Sequence, residues 1–444
     1  MTEHLVLGLG ITGRAVLRAL VSHGESAVAA DDSPHDAGRQ LVEELGVRLV
    51  EKPDEAALAS LVDQVEAVVP SPGVPDHHPV FRLAARTETP ILSEFDLAAR
   101  WDDRPQVAIT GTNGKTTVTE LTRSMLEASG LRAAAVGNTE VPLVAAIEDP
   151  AIDVFVVEAS SFRLLHTRRY SPAVGTWLNL APDHLDNHET FEAYAAAKAR
   201  IWEHQRPEQV AVGNADDPLV AARLESAPAR HVTFGLTPSA DNRLEGGQLL
   251  LADGSLLAKP DELHRAFPHD LSNALAAAAS TIAGGGTAVG ARAALLGFRG
   301  LPHRVWLVGE AGGVRWYDDS KATAPHATLA AVRGFDSVVL IAGGRNKGLD
   351  LGELATEADR LRAVVAIGEA APEVSAAFDG VRPVRPAGSM DEAVEAAASL
   401  ARPGDVVLLS PACASFDWYG SYAERGDDFV RAAREHLAAS GGRE

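Results

Sequence analysis

Cysteine is almost missing: Cys413 is the only one in 444 residues. No intramolecular disulfide can form, so the fold must rest on packed cores, as suits a reducing compartment. Long apolar runs are missing too, which excludes a helix that crosses a bilayer, and no membrane insertion is expected. Positive charge is in short supply, with 40 basic against 61 acidic side chains and a net charge of −21. That balance excludes a broad basic face for nucleic acid but leaves room for local phosphate pockets. The opening residues Met1 to Leu7 lack the basic start of an export signal, so a cytoplasmic protein is expected. No internal repeat or low-complexity tract is visible, and the length suggests two to four domains.

What is present is organised around Val107-Ala108-Ile109-Thr110-Gly111-Thr112-Asn113-Gly114-Lys115-Thr116-Thr117. An apolar run turns through two glycines and enters a helical pattern. Strand, glycine loop, Lys-Thr and helix form a phosphate cradle, in which backbone N–H groups and a helix N-terminus face the anion. Lys115 reaches terminal phosphates, and the Thr116 hydroxyl suits Mg²⁺. A complete G-x-x-x-x-G-K-[ST] would need Gly at 109, where Ile109 stands. An ordinary strand–turn–helix with an exposed lysine is the alternative.

Upstream, Leu5-Val6-Leu7 runs into Gly8-Leu9-Gly10-Ile11-Thr12-Gly13 and an amphipathic helix. A second strand ends at Asp31-Asp32, which completes a G-x-G-x-x-G unit for a diphosphate or dinucleotide. A tight turn with no ligand remains open. A further strand, Val68-Val69-Pro70, leads into Ser71-Pro72-Gly73, where ligands bind in such sheets. The segment Arg100 to Pro105 reads as a loop or domain edge. Domain boundaries are placed at 93 and 298, giving 1–93, 94–298 and 299–444.

In the middle region one strand ends at Gly137-Asn138 and another, Val154 to Val157, ends on Glu158. A carboxylate there suits a Mg²⁺-holding role or a structural ion pair. Ala181-Pro182-Asp183-His184-Leu185-Asp186-Asn187-His188 is dense in ionisable groups and suits a divalent cation; it also reads as a capped helix start, with Asp186 or Asn187 as the cap. Lys198 sits on an alanine-rich helix and by composition reads as a solvated surface lysine. Asn273 begins another such helix, as a cap or as a reader of a base edge. Beyond Leu301-Pro302-His303-Arg304 a third α/β domain carries polar clusters after its strands, at Asp318 to Thr323, Gly343 to Gly348 and Ser410 to Asp417.

Taken together, the Gly111–Thr117 loop, Glu158-Ala159-Ser160-Ser161-Phe162, Asn179 with Pro182-Asp183-His184, Lys198, Asn273, Leu301 to Arg304 and Asp318 to Thr323 resemble the Mur ligases. The resemblance spans nearly the whole chain. The N-terminal glycine loop and Ser410 to Asp417 are similar to those of the member that adds glutamate to UDP-N-acetylmuramoyl-L-alanine.

The resemblance implies an α/β protein of three domains: a Rossmann-like one for the UDP sugar, a central P-loop ATPase-like parallel sheet, and a Rossmann-like one for the amino acid. It implies ATP-driven amide formation through an acyl phosphate, with two Mg²⁺ sites; a monomer is expected. By resemblance, Gly111, Thr112, Asn113, Gly114, Lys115, Thr116 and Thr117 hold phosphates. Thr116 and Glu158 serve one Mg²⁺, and His184 serves a second with Lys198, which becomes carbamylated. Asn138 and His184 lie near the reacting carboxylate. Asn273, Arg304 and Asp319 surround ATP. Thr12, Asp31, Ser71 and Gly73 seat UDP, and Lys321, Thr323, Lys347, Ser415 and Tyr422 contact glutamate. Departures from the family pattern are Arg163 for Gln, Glu140 for Gly, Ala324 for Asn and Tyr422 for Phe. A ligase for L-glutamate or another amino acid, a nicotinamide-dependent dehydrogenase, and a nucleotide-binding regulator without turnover are the other readings.

Overall fold

The computed structural model describes residues 3–139, 141–183, 188 and 190–441. His184, Asp186, Asn187 and Glu140 therefore lie outside the described residues. The chain divides into two compact units, one drawn from 1–180, 187–266 and 270–298, the other from 181–186, 267–269 and 299–444.

The first unit holds two sheets. One is all parallel, in the order Arg48–Glu51, Ser26–Asp31, Glu3–Leu7, Ala67–Pro70. The chain leaves the strand Glu3–Leu7 to one side and later returns on its other side. That switch opens a crevice at the carboxyl ends, where Gly8 and Ser71 follow their strands. Among the described residues the second sheet has nine strands, seven of them successive parallel neighbours: Asn242–Glu245, Arg230–Gly235, Val210–Asn214, Val174–Trp177, Gln106–Thr110, Val154–Glu158 and Ala133–Gly137. Gln106–Thr110 and Val154–Glu158 are buried along their whole length, as strands covered on both faces must be. Register pairs Ile109 with Glu158 and Glu158 with Gly137, which brings the loops after three strands to one edge.

The second unit holds a six-stranded sheet, in the order Trp306–Ala311, Val314–Asp318, Val406–Leu409, Val338–Gly343, Leu361–Ile367, Val384–Ala387. Only its first pair is antiparallel. Among the described residues no helix is long and apolar enough to cross a membrane.

Local chemistry moved several expected boundaries. Arg100 and Trp101 belong to the helix Glu94–Trp101, not to a linker, because Ser93 and Asp96 form a capping box that starts the helix early. The helix Phe191–Glu203 is capped by Thr190, whose hydroxyl accepts from the Ala193 N–H, and not by Asp186 or Asn187. The helix carrying Asn273 starts at Pro268, a residue tolerated in a first turn, so Asn273 lies inside it and is no cap.

Candidate active site

The strand Gln106–Thr110 delivers the chain into a loop that only glycine can complete at two points. Gly114 has φ +83°, and a Cβ there would lie 2.6 Å from Asn273 Oδ1. A Cβ on Gly111 would lie 2.9 Å from Leu178 Cβ. Asn179, just past the end of the neighbouring strand Val174–Trp177, fixes the loop. Asn179 Oδ1 accepts from Asn113 N–H at 2.8 Å, Asn179 Nδ2 donates to Asn113 O at 3.2 Å, and Thr112 N–H donates to Asn179 O at 3.1 Å. The helix Lys115–Ala128 follows at once, so its N-terminus and the half-buried Thr116 and Thr117 stand at the loop.

Two lysines meet this loop. Lys115 Nζ donates to the carbonyls of Gly111 and Thr112, both at 2.9 Å. Lys198 Nζ donates to the same Gly111 carbonyl at 2.8 Å and lies 4.5 Å from the centre of the Tyr194 ring. Lys198 is 1% exposed, which overturns the composition-based expectation of a solvated side chain. The Tyr194 hydroxyl donates to Thr112 Oγ1 at 3.2 Å.

Glu158 is buried at its strand end. Its Oε1 accepts from Asn138 Nδ2 at 3.1 Å, while Oε2 is buried and has no hydrogen-bond partner among the described residues. An orphaned carboxylate oxygen at the strand end beside the Gly111–Thr117 loop, with a Thr hydroxyl on the adjoining helix, is a set of hard oxygen donors that fits Mg²⁺. No cluster of three or more His, Cys, Asp or Glu that could hold a metal forms among the described residues, which do not include His184.

A cavity of about 400 Å³ opens at the N-terminal glycine loop, and its lining includes Thr12, Asp31, Ser71, Gly73 and Arg163. Several of these groups build the loop itself. Asp31 accepts from the N–H groups of Leu9 at 2.5 Å and Ser33 at 2.7 Å. The Ser71 hydroxyl donates to the Gly8 carbonyl at 2.6 Å. A Cβ on Gly13 would fall 1.9 Å from that carbonyl, so the third glycine is required by helix–strand contact. Thr12 Oγ1 accepts from Arg163 Nη2 at 3.0 Å.

In the second unit, Asp319 is buried; Oδ1 accepts from Val305 N–H at 3.2 Å and Oδ2 from the Ser410 hydroxyl at 2.7 Å. Burial pushes its carboxyl up to about 7, against the pull of these donors and of the nearby Arg304 charge. The neighbouring Asp318 accepts from His303 Nδ1 at 2.6 Å, which raises the imidazole above its ordinary value. Lys321 Nζ stands 3.6 Å from the centre of the Tyr422 ring. Lys347 Nζ lies 3.5 Å from Asp183 Oδ1 within this unit. Ser415 is buried, and Thr323 is half-buried just before the helix Pro325–Val332. Ala324 takes that helix's N-cap position and offers no side-chain cap.

Three family models match consecutive parts of the chain: Mur ligase MurD-like, N-terminal domain over residues 2–93, Mur ligase middle domain over 109–281, and Mur ligase, glutamate ligase domain over 303–413. The UDP-N-acetylmuramoylalanine–D-glutamate ligase of Frankia casuarinae is 45% identical, over 97% of this chain and 93% of that relative. Its counterpart in Rubrobacter xylanophilus is 41% identical, over 99% of this chain and all of the relative (100%). The chain belongs to the Mur ligase family. As a Mur ligase it is an ATP-dependent enzyme that forms amide bonds, and the dehydrogenase and regulator readings fall away. Solved structures agree on fold. The MurF ligase of Thermotoga maritima in complex with ADP superposes with a TM-score of 0.64 at 17% identity, over 93% of this chain and 95% of that one. A pseudomurein peptide ligase type C from Methanothermus fervidus gives 0.60 at 19%, over 99% and 100%.

Within this Mur ligase the first unit gathers Lys115, Glu158, Asn138 and Lys198 around one loop, and Asn273 packs on Gly114. Two contributors escaped the sequence reading. Tyr194 lies on the inward face of the same helix as Lys198, but an alanine-rich helix gives no clear stripe by which to tell that face. Glu94, to which no role was given, is the buried partner of Arg163.

Proposed function

We propose that this Mur ligase joins D-glutamate to UDP-N-acetylmuramoyl-L-alanine with consumption of ATP, making a peptidoglycan precursor. It would act in the cytoplasm, as a monomer with domains 1–93, 94–298 and 299–444. The observation that carries this reading is the 45% identity to the Frankia ligase across nearly the full length of both chains.

A carboxylate resists amines because its oxygen is a poor leaving group. The substrate carboxylate oxygen attacks the γ-phosphorus of ATP, the bond to the bridging oxygen breaks, and ADP leaves. The acyl phosphate then accepts the glutamate amine at its carbonyl carbon. A C–N bond forms, phosphate departs with the electron pair, and the amine loses a proton. Residues 111–117 hold the phosphates by backbone N–H groups, with Lys115 on their terminal oxygens. Thr116 and Glu158 would hold one Mg²⁺, and His184 with Lys198 a second. Bound metal supplies charge neutralisation at the phosphate oxygens. The buried Lys198 shares the Gly111 carbonyl with Lys115. Reaction of its neutral amine with CO₂, with loss of a proton, turns one of two crowded cations into an anion. Asn138, tied to Glu158, would stand beside the reacting carboxylate. Asn273, Arg304 and Asp319 would surround ATP. Thr12, Asp31, Ser71 and Gly73 would frame the UDP seat, while Lys321, Thr323, Lys347, Ser415 and Tyr422 would receive glutamate.

Purified protein should release ADP only when UDP-N-acetylmuramoyl-L-alanine, ATP, Mg²⁺ and D-glutamate are all present. Equal turnover with L-glutamate would reassign the amino acid, and ADP release that ignores the amino acid would remove the ligase reaction itself.

A further inference from the structure

The Arg163 guanidinium is 7% exposed, on the short helix Ser161–Leu165, and it forms part of the wall of the 400 Å³ cavity at the N-terminal glycine loop. Its three nitrogens have three different fates. Nη1 pairs with Glu94 Oε1. Nη2 donates to Thr12 Oγ1 at 3.0 Å. Nε is buried and has no hydrogen-bond partner among the described residues. Glu94 is itself 3% exposed, and its second oxygen accepts from Val144 N–H at 3.0 Å. The guanidinium is therefore clamped from behind, and its position is not adjustable by rotation of a loose side chain.

Thr12 is the second residue of the helix Ile11–Ser22, whose N-cap, Gly10, supplies no side-chain cap. A hydroxyl has one proton to give and lone pairs to receive. Arg163 can only donate, so its bond to Thr12 occupies a lone pair and turns the hydroxyl proton away from the guanidinium. That proton meets no acceptor among the described residues, and Thr12 lines the cavity. The hydroxyl is thus set as a donor next to a helix N-terminus, where backbone N–H groups and the helix dipole favour an anion.

We propose that Arg163 is a positioning residue for the nucleotide-sugar pocket: it orients the Thr12 hydroxyl as a hydrogen-bond donor to the diphosphate of the ligand. This rests on the assignment of that pocket to a UDP sugar. A neutral amide at 163 could either donate to Thr12 or accept from it, and would leave the hydroxyl orientation open. Arg163 removes the choice, and the Glu94 pair keeps the buried charge in place. Removing only one partner of such a pair leaves a lone buried charge, so the informative variant changes both.

The test is calorimetric binding of UDP and of uridine to the full-length protein, with wild type, T12V, the double variant R163Q/E94Q, and the three changes combined. Wild type should bind UDP more tightly than uridine. R163Q/E94Q should weaken UDP binding severalfold, up to the roughly tenfold scale of one hydrogen bond to a charged group, because the hydroxyl is then free to turn either way, with little change for uridine. T12V should weaken UDP similarly, and the three changes together should cost no more than T12V alone, because both act through one hydroxyl. In turnover the loss should fall on KM for the nucleotide sugar and not on KM for ATP. UDP affinity that is equal in wild type and R163Q/E94Q would overturn the proposal, as would losses that simply add. If the double variant does not fold, T12V against T12S decides: loss with Val and retention with Ser supports a donor role, and UDP binding retained by Val refutes it. Failure of the wild type to bind UDP at all would overturn the pocket assignment, and the proposal with it.

Discussion

Lys115 and Lys198, 83 positions apart in the sequence, donate to the same carbonyl oxygen, that of Gly111, at 2.9 and 2.8 Å. Two ammonium groups on one carbonyl repel each other, and the arrangement is stable only where the surroundings supply negative charge or π density. The Tyr194 ring provides part of this for Lys198. A triphosphate at the loop, or conversion of one lysine to a carbamate, would add negative charge there.

The two lysines should therefore fail differently. Lys115→Ala removes the proposed phosphate contact and should lower turnover on the order of a hundredfold or more, with no recovery by additives. Lys198→Ala should lose comparable activity and regain part of it in millimolar short carboxylic acids, which replace a missing carbamate. ADP release with and without acetate or propionate separates the cases. A fully active Lys198→Ala protein would end the carbamate assignment.

Glu158→Gln keeps the shape of the side chain and can still accept from Asn138, but it replaces the orphaned Oε2 with an amide or removes its charge. The amount of Mg²⁺ needed for half-maximal ATP turnover should rise, on the order of tenfold, since ligand charge sets affinity for hard cations. Titration of Mg²⁺ at fixed ATP reads this directly. An unchanged Mg²⁺ requirement would place the cation elsewhere.

Gly114→Ala tests the loop without touching a charge. The new methyl would meet Asn273 Oδ1 at 2.6 Å, at a backbone φ of +83°. The strain should cost about 1–3 kcal/mol and lower the melting temperature. Adding Asn273→Ala should recover the steric share and leave the backbone share, so the paired variants divide the two causes.

The strand, glycine turn and helix around Gly111–Thr117 were readable because the residues are contiguous and each has a local duty: apolar strand, glycines at the turn, lysine and threonine at a helix start. The strand ends at Glu158 and Asp31 were readable for the same reason. Long-range pairing was not. Nothing near Arg163 in the sequence announces Glu94 or Thr12, and nothing near Lys198 tells that its helix turns that side inward. The antiparallel strands Asn242–Glu245 and Gln248–Leu250 were missed although Gly246 and Gly247 join them with φ of +57° and +72°, the left-handed pair that a tight hairpin demands.

Asp319 gives a pH signature to the second unit. Burial raises its folded-state pKa to about 7, well above the ordinary 3.8 that an unfolded chain approaches. A carboxyl raised in the folded state holds its proton there more strongly than in the unfolded chain. Between about pH 4 and about pH 7 the unfolded chain has released the proton and the folded one retains it, so the contribution of Asp319 to stability falls as pH rises across that window and levels off above it. Asp319→Asn removes the titration while the side-chain oxygen can still accept from Val305 N–H or the Ser410 hydroxyl. Melting temperatures measured from pH 4.5 to pH 8 should therefore drop more steeply for wild type than for Asp319→Asn. Parallel curves would mean that the charge is matched in the folded protein by the nearby Arg304 cation, and that Asp319 is ionised throughout.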